Sequence, residues 1–342
     1  MMALSESGVS VLIPAYNAAD YIDKTLQSVI DQQYDDYEIV IVDDGSSDTT
    51  IRVIESWKKR YPQKFIIKTQ KNSGVSATRN TLLSLARKKY FTFLDSDDYL
   101  DNDYLEKLVQ VAEDNDADMV ISGQRKVSKD GKIIALIHYP VDQYPNTAMR
   151  RLNFAGKLYR REFVEKTGVT FQKYNLYEDN PFNLALMMLA NNLTILPYEG
   201  YNQIVHVGSI TARKITNDQI PYKAIEETVK LVSENKERVK DYDLFVYTLL
   251  SFFVFFIFKA NKSHSYMRMD KQRQSNTETV LKFTAFAEMV LVNLPSSIYK
   301  NKYFDATNTK DLPMTQKIGV YAFLKLLKWD LLQPFVKVYY RL

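Results

Sequence analysis

Short apolar runs alternate with segments of helical periodicity through the first 122 residues of this 342-residue chain. Each run is four or five residues long, the length of a buried strand: residues 9–13, 38–42, 65–68, 90–94 and 118–122. Between them, apolar residues recur at helical spacing in residues 22–30, 49–61, 75–88 and 101–114. Strands and helices in strict alternation predict an α/β fold, in which helices cover both faces of a mostly parallel sheet.

The polar clusters of this region follow directly after predicted strands. Residues 14–17, 43–48 and 95–98 come after the first, second and fourth apolar runs. In open α/β sheets, ligands bind outside the carboxyl ends of the strands. We therefore expect the three clusters to meet at one edge of the sheet and to form a binding site there.

The pattern changes beyond about residue 215. Gly319 is the one glycine among residues 216–342. Long helical segments are predicted at residues 220–240, 243–260, 278–293 and 315–330. The sequence thus predicts an α/β domain at residues 1–215 and a helical region at residues 216–342.

The residue types limit the chemistry of any site. Cysteine is absent, so the chain can form neither a disulfide framework nor a thiolate metal site. The sequence has only three histidines (His138, His206 and His264), and this small number argues against a His-rich zinc site. A metal would have to be bound mainly by oxygen atoms, which favours Mg²⁺ or Mn²⁺.

The net charge of +4 is unevenly distributed. Residues 1–220 hold 26 Lys+Arg and 29 Asp+Glu, whereas residues 221–342 hold 19 and 12. Within the basic part, residues 320–342 interleave aromatic and aliphatic side chains with lysines. This pattern is typical of an amphipathic helix that lies on a membrane surface, but packing on the α/β domain explains it equally well.

Two features bear on location. Ser5, Glu6 and Ser7 precede the first apolar run, unlike the basic-then-apolar order of a secretion signal. The longest uncharged run, residues 244–258, has fifteen residues, fewer than the ~20 that span a bilayer. We interpret that run as a buried or oligomer-forming helix, and we expect a cytoplasmic protein.

The clearest candidate for chemistry is Asp95-Ser96-Asp97-Asp98, directly after an apolar strand. Carboxylates two residues apart at a strand end can bind one divalent cation and one sugar ring or ribose. The alternative is a structural turn, in which Asp98 or Asp101 caps the next helix.

The cluster at residues 43–48 also has two interpretations. The carboxylate of Asp44 could accept the imide N–H of a uracil base. Alternatively, the cluster is a tight turn at Gly45 in which Ser47 or Asp48 caps the following helix. The residue types alone do not decide between them.

Residues 72–80 form a glycine-containing loop that enters a helix. Its backbone N–H groups and the guanidinium of Arg79 suit an anion such as a diphosphate. Many loops have this composition, so the pattern gains weight only beside the other clusters.

Four motifs occur in a fixed order: Pro14-Ala15-Tyr16-Asn17, Asp43-Asp44-Gly45-Ser46, Asn72-Ser73-Gly74…Arg79-Asn80 and Asp95-Ser96-Asp97-Asp98. Their order and spacing resemble the family 2 glycosyltransferases with the GT-A fold, over roughly residues 8–210. The resemblance implies a Rossmann-like α/β domain, a UDP-sugar donor and Mn²⁺ or Mg²⁺. It also implies a direct displacement that inverts the anomeric centre.

The resemblance assigns roles to donor-binding residues: Pro14, Tyr16, Asp44, Arg79, Asp95 and Ser96. It implies that Tyr16 stacks on the base and Asp44 binds its imide. It places Arg79 near the donor phosphates and Asp95 near the ribose and donor sugar.

The resemblance further assigns metal and catalytic residues. It implies that Asp97 binds the metal and that His206 contacts the metal or a phosphate, although a lone histidine is often structural. The pair Glu178-Asp179 matches the motif that supplies the catalytic base, with Asp179 in that role and Glu178 as the alternative. Asp179 could also simply cap its helix.

We therefore expect a glycosyltransferase that acts in cell-surface polysaccharide synthesis. Its acceptor would be a glycan, a lipid-linked glycan or a polyol phosphate, with no role for nucleic acid. The inner membrane surface and a second copy of the chain are further possible partners. Two alternatives are a sugar-phosphate nucleotidyltransferase, disfavoured because residues 12–25 lack glycine, and a non-catalytic scaffold subunit, disfavoured because the carboxylates are present.

Overall fold

The computed structural model describes residues 7–139, 152–172, 178–205, 220, 222–260, 271–294, 299–305 and 314–341. The chain divides into two compact units, Met1–Val207 and Gly208–Leu342. This division and the predicted boundary at residue 215 both fall in residues 206–219, which lie outside the described residues.

The first unit contains a sheet with nine strands in its described residues. In chain order the strands are β1 (Val9–Ala15), β2 (Tyr37–Asp43), β3 (Phe65–Thr69), β4 (Tyr90–Phe93), β5 (Tyr99–Leu100), β6 (Met119–Val127), β7 (Ile133–Ile137), β8 (Lys157–Arg160) and β9 (Leu193–Ile204). The spatial order is β3-β2-β1-β4-β8-β6-β9-β5, and β7 pairs with β6.

Six helices accompany these strands in the described residues: α1 (Ile22–Ile30), α2 (Thr50–Arg60), α3 (Val75–Leu85), α4 (Tyr104–Asp114), α5 (Arg161–Thr167) and α6 (Asp179–Leu189). The order of strands and helices agrees with the predicted alternation as far as β4. The α/β fold is therefore confirmed.

The core forms because each central strand carries an apolar run in its middle, residues 11–13 in β1 and 39–42 in β2. In β2 every residue is buried, as expected of a parallel strand that is covered on both faces. Helix α1 buries Ile22, Leu26 and Val29, one stripe of its surface, against this sheet. The parallel register aligns Ala15 at the end of β1 with Asp43 at the end of β2, so their following loops start at the same edge.

The sheet departs from strict parallel alternation after β4. Strand β8 lies between β4 and β6 and runs antiparallel to both. The short strand β5 pairs antiparallel with β9, so α4 begins at Tyr104 and not at the predicted residue 101. These pairings join residues that are between 36 and 103 positions apart, and they leave no local periodicity by which a sequence pattern could reveal them.

The second unit is helical in its described residues, which confirms the predicted C-terminal helical region. Its α-helices are α7 (Tyr222–Glu234), α8 (Tyr242–Phe255), α9 (Lys271–Val292), α10 (Met314–Lys328) and α11 (Leu332–Arg341). Phe253, Phe256 and Phe283 are fully buried, and their rings pack together with centroids 4.1 to 5.6 Å from Phe283. In the part of the chain that the structure describes, none of the helices is sufficiently long and apolar to span a bilayer.

Candidate functional site

The loops after β1 and β2 are joined by hydrogen bonds. The amide of Asn17 donates to the hydroxyl of Ser46 at 2.9 Å, and the amide of Ser47 donates to Oδ1 of Asn17 at 2.9 Å. Asn17 adopts a left-handed conformation with φ of 48°, which asparagine tolerates better than most residues. Tyr16, which precedes Asn17 in the loop after β1, is 52% exposed, whereas Pro14 is half-buried. The ring of Tyr16 is therefore available to a ligand at the edge of the sheet.

Asp44 holds the loop before α3. Its Oδ1 accepts hydrogen bonds from the amide of Ser73 and the side chain of Gln70, both at 2.9 Å, and its Oδ2 accepts from the amide of Gly74 at 2.9 Å. Asp44 is 4% exposed. The neighbouring Gly45 has φ of 75°, where a Cβ would lie 3.0 Å from the amide nitrogen of Asn72. The second and third predicted motifs thus form one unit around this carboxylate.

The structure decides each of the capping alternatives. Oδ1 of Asp48 accepts from the amide of Thr50 at 2.9 Å, but the N-cap of α2 is Thr49, which makes no side-chain capping hydrogen bond, so neither Ser47 nor Asp48 is the predicted cap. Asp101 does not cap α4, because its carboxylate accepts from Arg125 at 2.6 Å and from Asn202 at 2.8 Å. Asp98 does not cap it either: its side chain is bonded to β9.

Residues 95–98, which follow β4 after Leu94, differ in how far their side chains are exposed. The side chain of Asp95 is 43% exposed, and Ser96 and Asp97 are half-buried. Asp98 is buried, and accepts from the hydroxyl of Tyr201 at 2.9 Å and from the amide of Ile204 at 2.8 Å. Burial, together with the charges of Asp95 and Asp97, raises the pKa of Asp98 well above its usual range. Asp95 and Asp97 are therefore the carboxylates that can meet a ligand, and Asp98 fixes their loop to the sheet.

Arg79 connects this loop to the start of α6. Its Nη2 donates to Oδ1 of Asp95 at 3.2 Å, and its Nη1 forms an ion pair with Glu178. Its guanidinium lies 4.4 Å from the centre of the Phe154 ring, and the residue is 5% exposed. Burial lowers the pKa of Arg79, but the charges of Glu178, Asp95 and Asp179 outweigh it and raise the pKa overall. The guanidinium is therefore a fixed positive charge between two of the predicted motifs.

Asp179 is the first residue of α6, directly after Glu178. Burial and the charge of Glu178 raise the pKa of Asp179 to about 7, although the positive charge of Arg79 opposes this increase. The N-cap position is Glu178, and no side chain accepts a capping hydrogen bond there. The backbone carbonyl of Asp179 accepts from the side chain of Asn183 at 3.1 Å, and Asn183 in turn accepts from the hydroxyl of Tyr159 at 2.6 Å. The structure thus gives Asp179 a fixed backbone and the pKa of a general base that works near neutral pH.

Sequence patterns did not reveal Lys157, which lies on β8 and is completely buried. Its ammonium donates to the backbone carbonyl of Asn153, and its charge lowers the pKa of Asp179 and so opposes the effect of burial. The surrounding sequence, Lys157–Arg160, resembles an ordinary polar strand end. A lysine is almost never fully buried unless its charge is paired. The burial of Lys157 in the folded protein is therefore the observation that marks this residue as unusual.

The residues present fit a divalent cation only in part. Asp95 and Asp97 offer carboxylate oxygens, which are the ligands that Mg²⁺ and Mn²⁺ prefer. Within the described residues, no three His, Asp or Glu side chains converge closely enough to hold a metal ion by themselves. The predicted ligand His206 lies outside the described residues. A cation here would need ligands beyond these carboxylates.

Comparisons with known proteins agree on one family. The profile of "Glycosyl transferase family 2" matches residues 10–182. Glycosyltransferase EpsJ of Bacillus subtilis, described as uncharacterized, is 29% identical over 232 residues, which cover 63% of this chain and 64% of EpsJ. The poly(ribitol-phosphate) beta-N-acetylglucosaminyltransferase TarP of Staphylococcus aureus is 29% identical over 242 residues, which cover 66% of this chain and 72% of TarP. The chain thus spans slightly less than two thirds of EpsJ.

A solved structure shows the same architecture. S. aureus TarS 1–349 in complex with UDP-GlcNAc superposes with a TM-score of 0.65 at 19% identity, and covers 93% of this chain and 92% of that one. This likeness identifies the fold as GT-A, with the helical C-terminal region included. The fold and the loop-borne site define a glycosyltransferase domain. The chain belongs to glycosyl transferase family 2.

Proposed function

We propose that this protein transfers one sugar from a UDP-sugar to a hydroxyl group of a glycan or polyol-phosphate acceptor, with inversion at the anomeric carbon. The observation that carries the proposal is the contact of Arg79 with both Asp95 and Glu178. It joins the loop suited to the donor with the helix that begins at Asp179. A donor and an acceptor bound at these two places would meet at this guanidinium.

Donor recognition is proposed for the joined loops after β1 and β2 and the loop after β4. The exposed ring of Tyr16 would stack on uracil, next to Pro14. Asp44 already accepts three hydrogen bonds, and an ionised carboxylate has about four acceptor positions, so one position remains for the uracil imide. Asp95 and Ser96 would contact the ribose and the donor sugar.

The role proposed for Arg79 is to fix carboxylates beside the donor phosphates. Both of its terminal nitrogens donate to carboxylates, and little of its surface is exposed. Its positive charge would still favour a diphosphate near Asp95, because a buried charge is weakly screened. The effect on the phosphates would be electrostatic, and the direct contact would be with Asp95 and Glu178.

A divalent cation is proposed at Asp97, with Asp95 close by. His206 is the further protein ligand that we propose, and the donor phosphates would supply the remaining oxygens. When bound, Mn²⁺ or Mg²⁺ would neutralise the negative charge that develops on the departing diphosphate.

Asp179 is proposed as the base. Its carboxylate would take the proton of the acceptor hydroxyl while the hydroxyl oxygen forms a bond to the anomeric carbon. The bond from that carbon to the phosphate oxygen would break, and UDP would leave with the electron pair. A single displacement of this kind inverts the anomeric centre. A pKa of about 7 suits the task, since a base is most effective when its pKa lies near the working pH.

The acceptor class is proposed from the relatives. TarP is described as acting on poly(ribitol phosphate), a polyol-phosphate polymer. A cell-surface polysaccharide or a teichoic-acid chain is therefore the class to test first.

The test is a panel of UDP-Glc, UDP-Gal, UDP-GlcNAc and UDP-GalNAc with Mn²⁺, with release of UDP as the readout. We expect one donor to be turned over and the same donor to raise the melting temperature. Asp179→Asn is the matched variant, and it should keep the thermal shift while losing turnover. No response to any UDP-sugar, together with release of pyrophosphate from a nucleoside triphosphate and a sugar phosphate, would overturn the proposal. UDP binding without turnover by any acceptor tried would instead support a non-catalytic role.

A further inference from the structure

Helices α10 and α11 expose an apolar stripe in addition to the face that they bury. On α10, Met314, Ile318, Tyr321 and Trp329 are all exposed, by 57 to 66%. They recur at spacings that place them on one side of a helix. Leu331, directly before α11, and Phe335 and Val338 on α11 are exposed in the same way, by 42 to 56%. We call these seven residues the outer stripe.

The packing within the helical unit rests mainly on other faces of these helices, although Phe335 of the outer stripe takes part in it, with its ring centroid 6.2 Å from that of Phe258. The opposite side of α10 is buried through Val320, Phe323 and Leu324, and that of α11 through Leu332 and Val336. A surface helix that packs on one neighbour needs one apolar face. Two apolar faces on each helix therefore indicate a second partner for the outer stripe. Clustered exposed apolar side chains are typical of interaction sites.

The junction between the two helices makes the outer stripe continuous along the chain. Asp330 is left-handed with φ of 58° and is followed at once by α11. The amide of Leu331 donates to the carbonyl of Leu326 at 2.8 Å, and the amide of Asp330 donates to the carbonyl of Leu327 at 3.2 Å. These two bonds form a Schellman motif, which fixes the end of a helix. Trp329 thus ends one half of the stripe, and Leu331 begins the other.

Lysines accompany the outer stripe. The ammonium of Lys325 lies 5.3 Å from the ring of Tyr321 and 5.7 Å from that of Trp329. Lys328 and Lys337 are exposed beside the stripe. Residues 314–341 contain five basic residues and a single acid, Asp330. Tyrosine and tryptophan next to lysines are the residues that occupy the boundary between lipid headgroups and acyl chains.

We propose that the outer stripe is the site at which this protein binds the surface of an anionic lipid bilayer, with Trp329 inserted at the headgroup boundary. A second copy of the chain fits less well, because a symmetric contact through this face would bring its lysines against one another. Anionic headgroups would instead pair with these lysines. The inference depends on the helical unit alone and is independent of the proposed transfer reaction.

Tryptophan fluorescence tests the proposal directly. The chain has two tryptophans: Trp57 is 1% exposed within α2, whereas Trp329 is 61% exposed. We expect vesicles of equal parts phosphatidylglycerol and phosphatidylcholine to shift the emission to the blue and to protect it from acrylamide. Vesicles of phosphatidylcholine alone should bind far less. Trp329→Phe should remove the spectral response while the protein still floats with the vesicles.

Variants separate the stripe from its charges. Ile318→Glu with Val338→Glu should abolish flotation, and Lys325→Gln with Lys328→Gln should lower the partition coefficient by roughly 30-fold. Ile134→Glu is the matched control, because Ile134 is 58% exposed on β7 in the other unit. That variant should bind vesicles as the parent does, and all variants should keep the parent melting temperature, since the changed side chains are on the surface.

Four results would overturn the proposal. They are unchanged fluorescence with the anionic vesicles, equal binding to both vesicle types, undiminished flotation of the double glutamate variant, and acrylamide protection of Trp329 before lipid is added. In the last case, protection that disappears on dilution would identify a second copy as the occupant. Protection that is independent of dilution would identify a segment of the same chain.

Discussion

Arg79 and Glu178 form a buried ion pair although they are 99 positions apart in the sequence. Their side chains are 7% and 10% exposed. The same guanidinium holds Asp95 at 3.2 Å, and Asp179 follows Glu178 at the start of α6. The pair therefore sets where the base of the proposed reaction lies relative to the loop that would bind the donor.

Replacing Arg79 with methionine should destabilise the protein by about 3 to 5 kcal/mol, because Glu178 would remain as an uncompensated buried charge. Urea unfolding measures this change. The double variant Arg79→Met with Glu178→Gln should recover much of the loss, since it removes the buried carboxylate and leaves Asp95, whose side chain is 43% exposed and can be solvated. Lys107→Met is the control: its surface pair with Asp103 is well exposed, and its loss should cost less than about 1 kcal/mol. Additive effects of the two buried changes would mean that the pair contributes no coupling.

The rate of transfer should depend on the ionisation of Asp179. The active form of a base is deprotonated, and the pKa of Asp179 is raised to about 7. We therefore expect kcat to fall about tenfold for each pH unit below 7 and to level off above it. Asp179→Asn should lower kcat by roughly 10²- to 10⁴-fold, the usual contribution of a general base, with little change in UDP affinity. A profile that stays flat from pH 5 to 8 would exclude Asp179 as the titrating group.

The environment of Asp179 also predicts how that profile can be moved. Lys157 and Arg79 both lower the pKa of Asp179, whereas burial raises it. Lys157→Met should therefore shift the lower limb of the profile to higher pH. Glu178→Gln should shift it to lower pH, because the charge of Glu178 raises the pKa. The pH dependence of kcat measures both shifts, and shifts of the opposite sign would contradict this description of the site.

Tyr16→Ala should weaken UDP binding by about 1 to 3 kcal/mol, the value of a base stacked on an aromatic ring. The free energy of unfolding should hardly change, because the ring is 52% exposed. Isothermal titration of UDP measures the first effect and urea unfolding the second. Tyr16→Phe keeps the ring and should bind UDP almost as the parent does. Equal losses for Ala and Phe would point to the hydroxyl and not to stacking.

Asp97→Asn should raise the concentration of Mn²⁺ that half-saturates transfer, because a neutral amide is a weaker ligand for a hard cation than a carboxylate. Activity at several Mn²⁺ concentrations measures this, and chelation of the metal should abolish parent activity. Asp98→Asn, at the neighbouring position, is the control. Asp98 is buried and hydrogen-bonded to β9, so this substitution should lower the melting temperature and leave the metal requirement unchanged. A parent rate that is insensitive to chelation would remove the metal from the proposal.

Local patterns in the sequence determined a large part of this protein. The first four strands and the helices between them follow from short apolar runs and period-3.6 repeats, which are patterns over a few residues. The same holds for the C-terminal helices. The motifs around Tyr16, Asp44, Arg79 and Asp97 identified the family for a similar reason, because each is a short contiguous stretch at a strand end.

Tertiary structure alone decided which of those residues face a ligand and which support the fold. Asp98 turns inward to β9 while Asp97, its neighbour, does not, and β8 inserts antiparallel between β4 and β6. The pairing of Arg79 with Glu178, the burial of Lys157 and the raised pKa of Asp179 depend on residues brought together from distant parts of the chain. Burial and charge proximity are properties of the assembled sheet. A pattern that extends over a few residues carries no information about them.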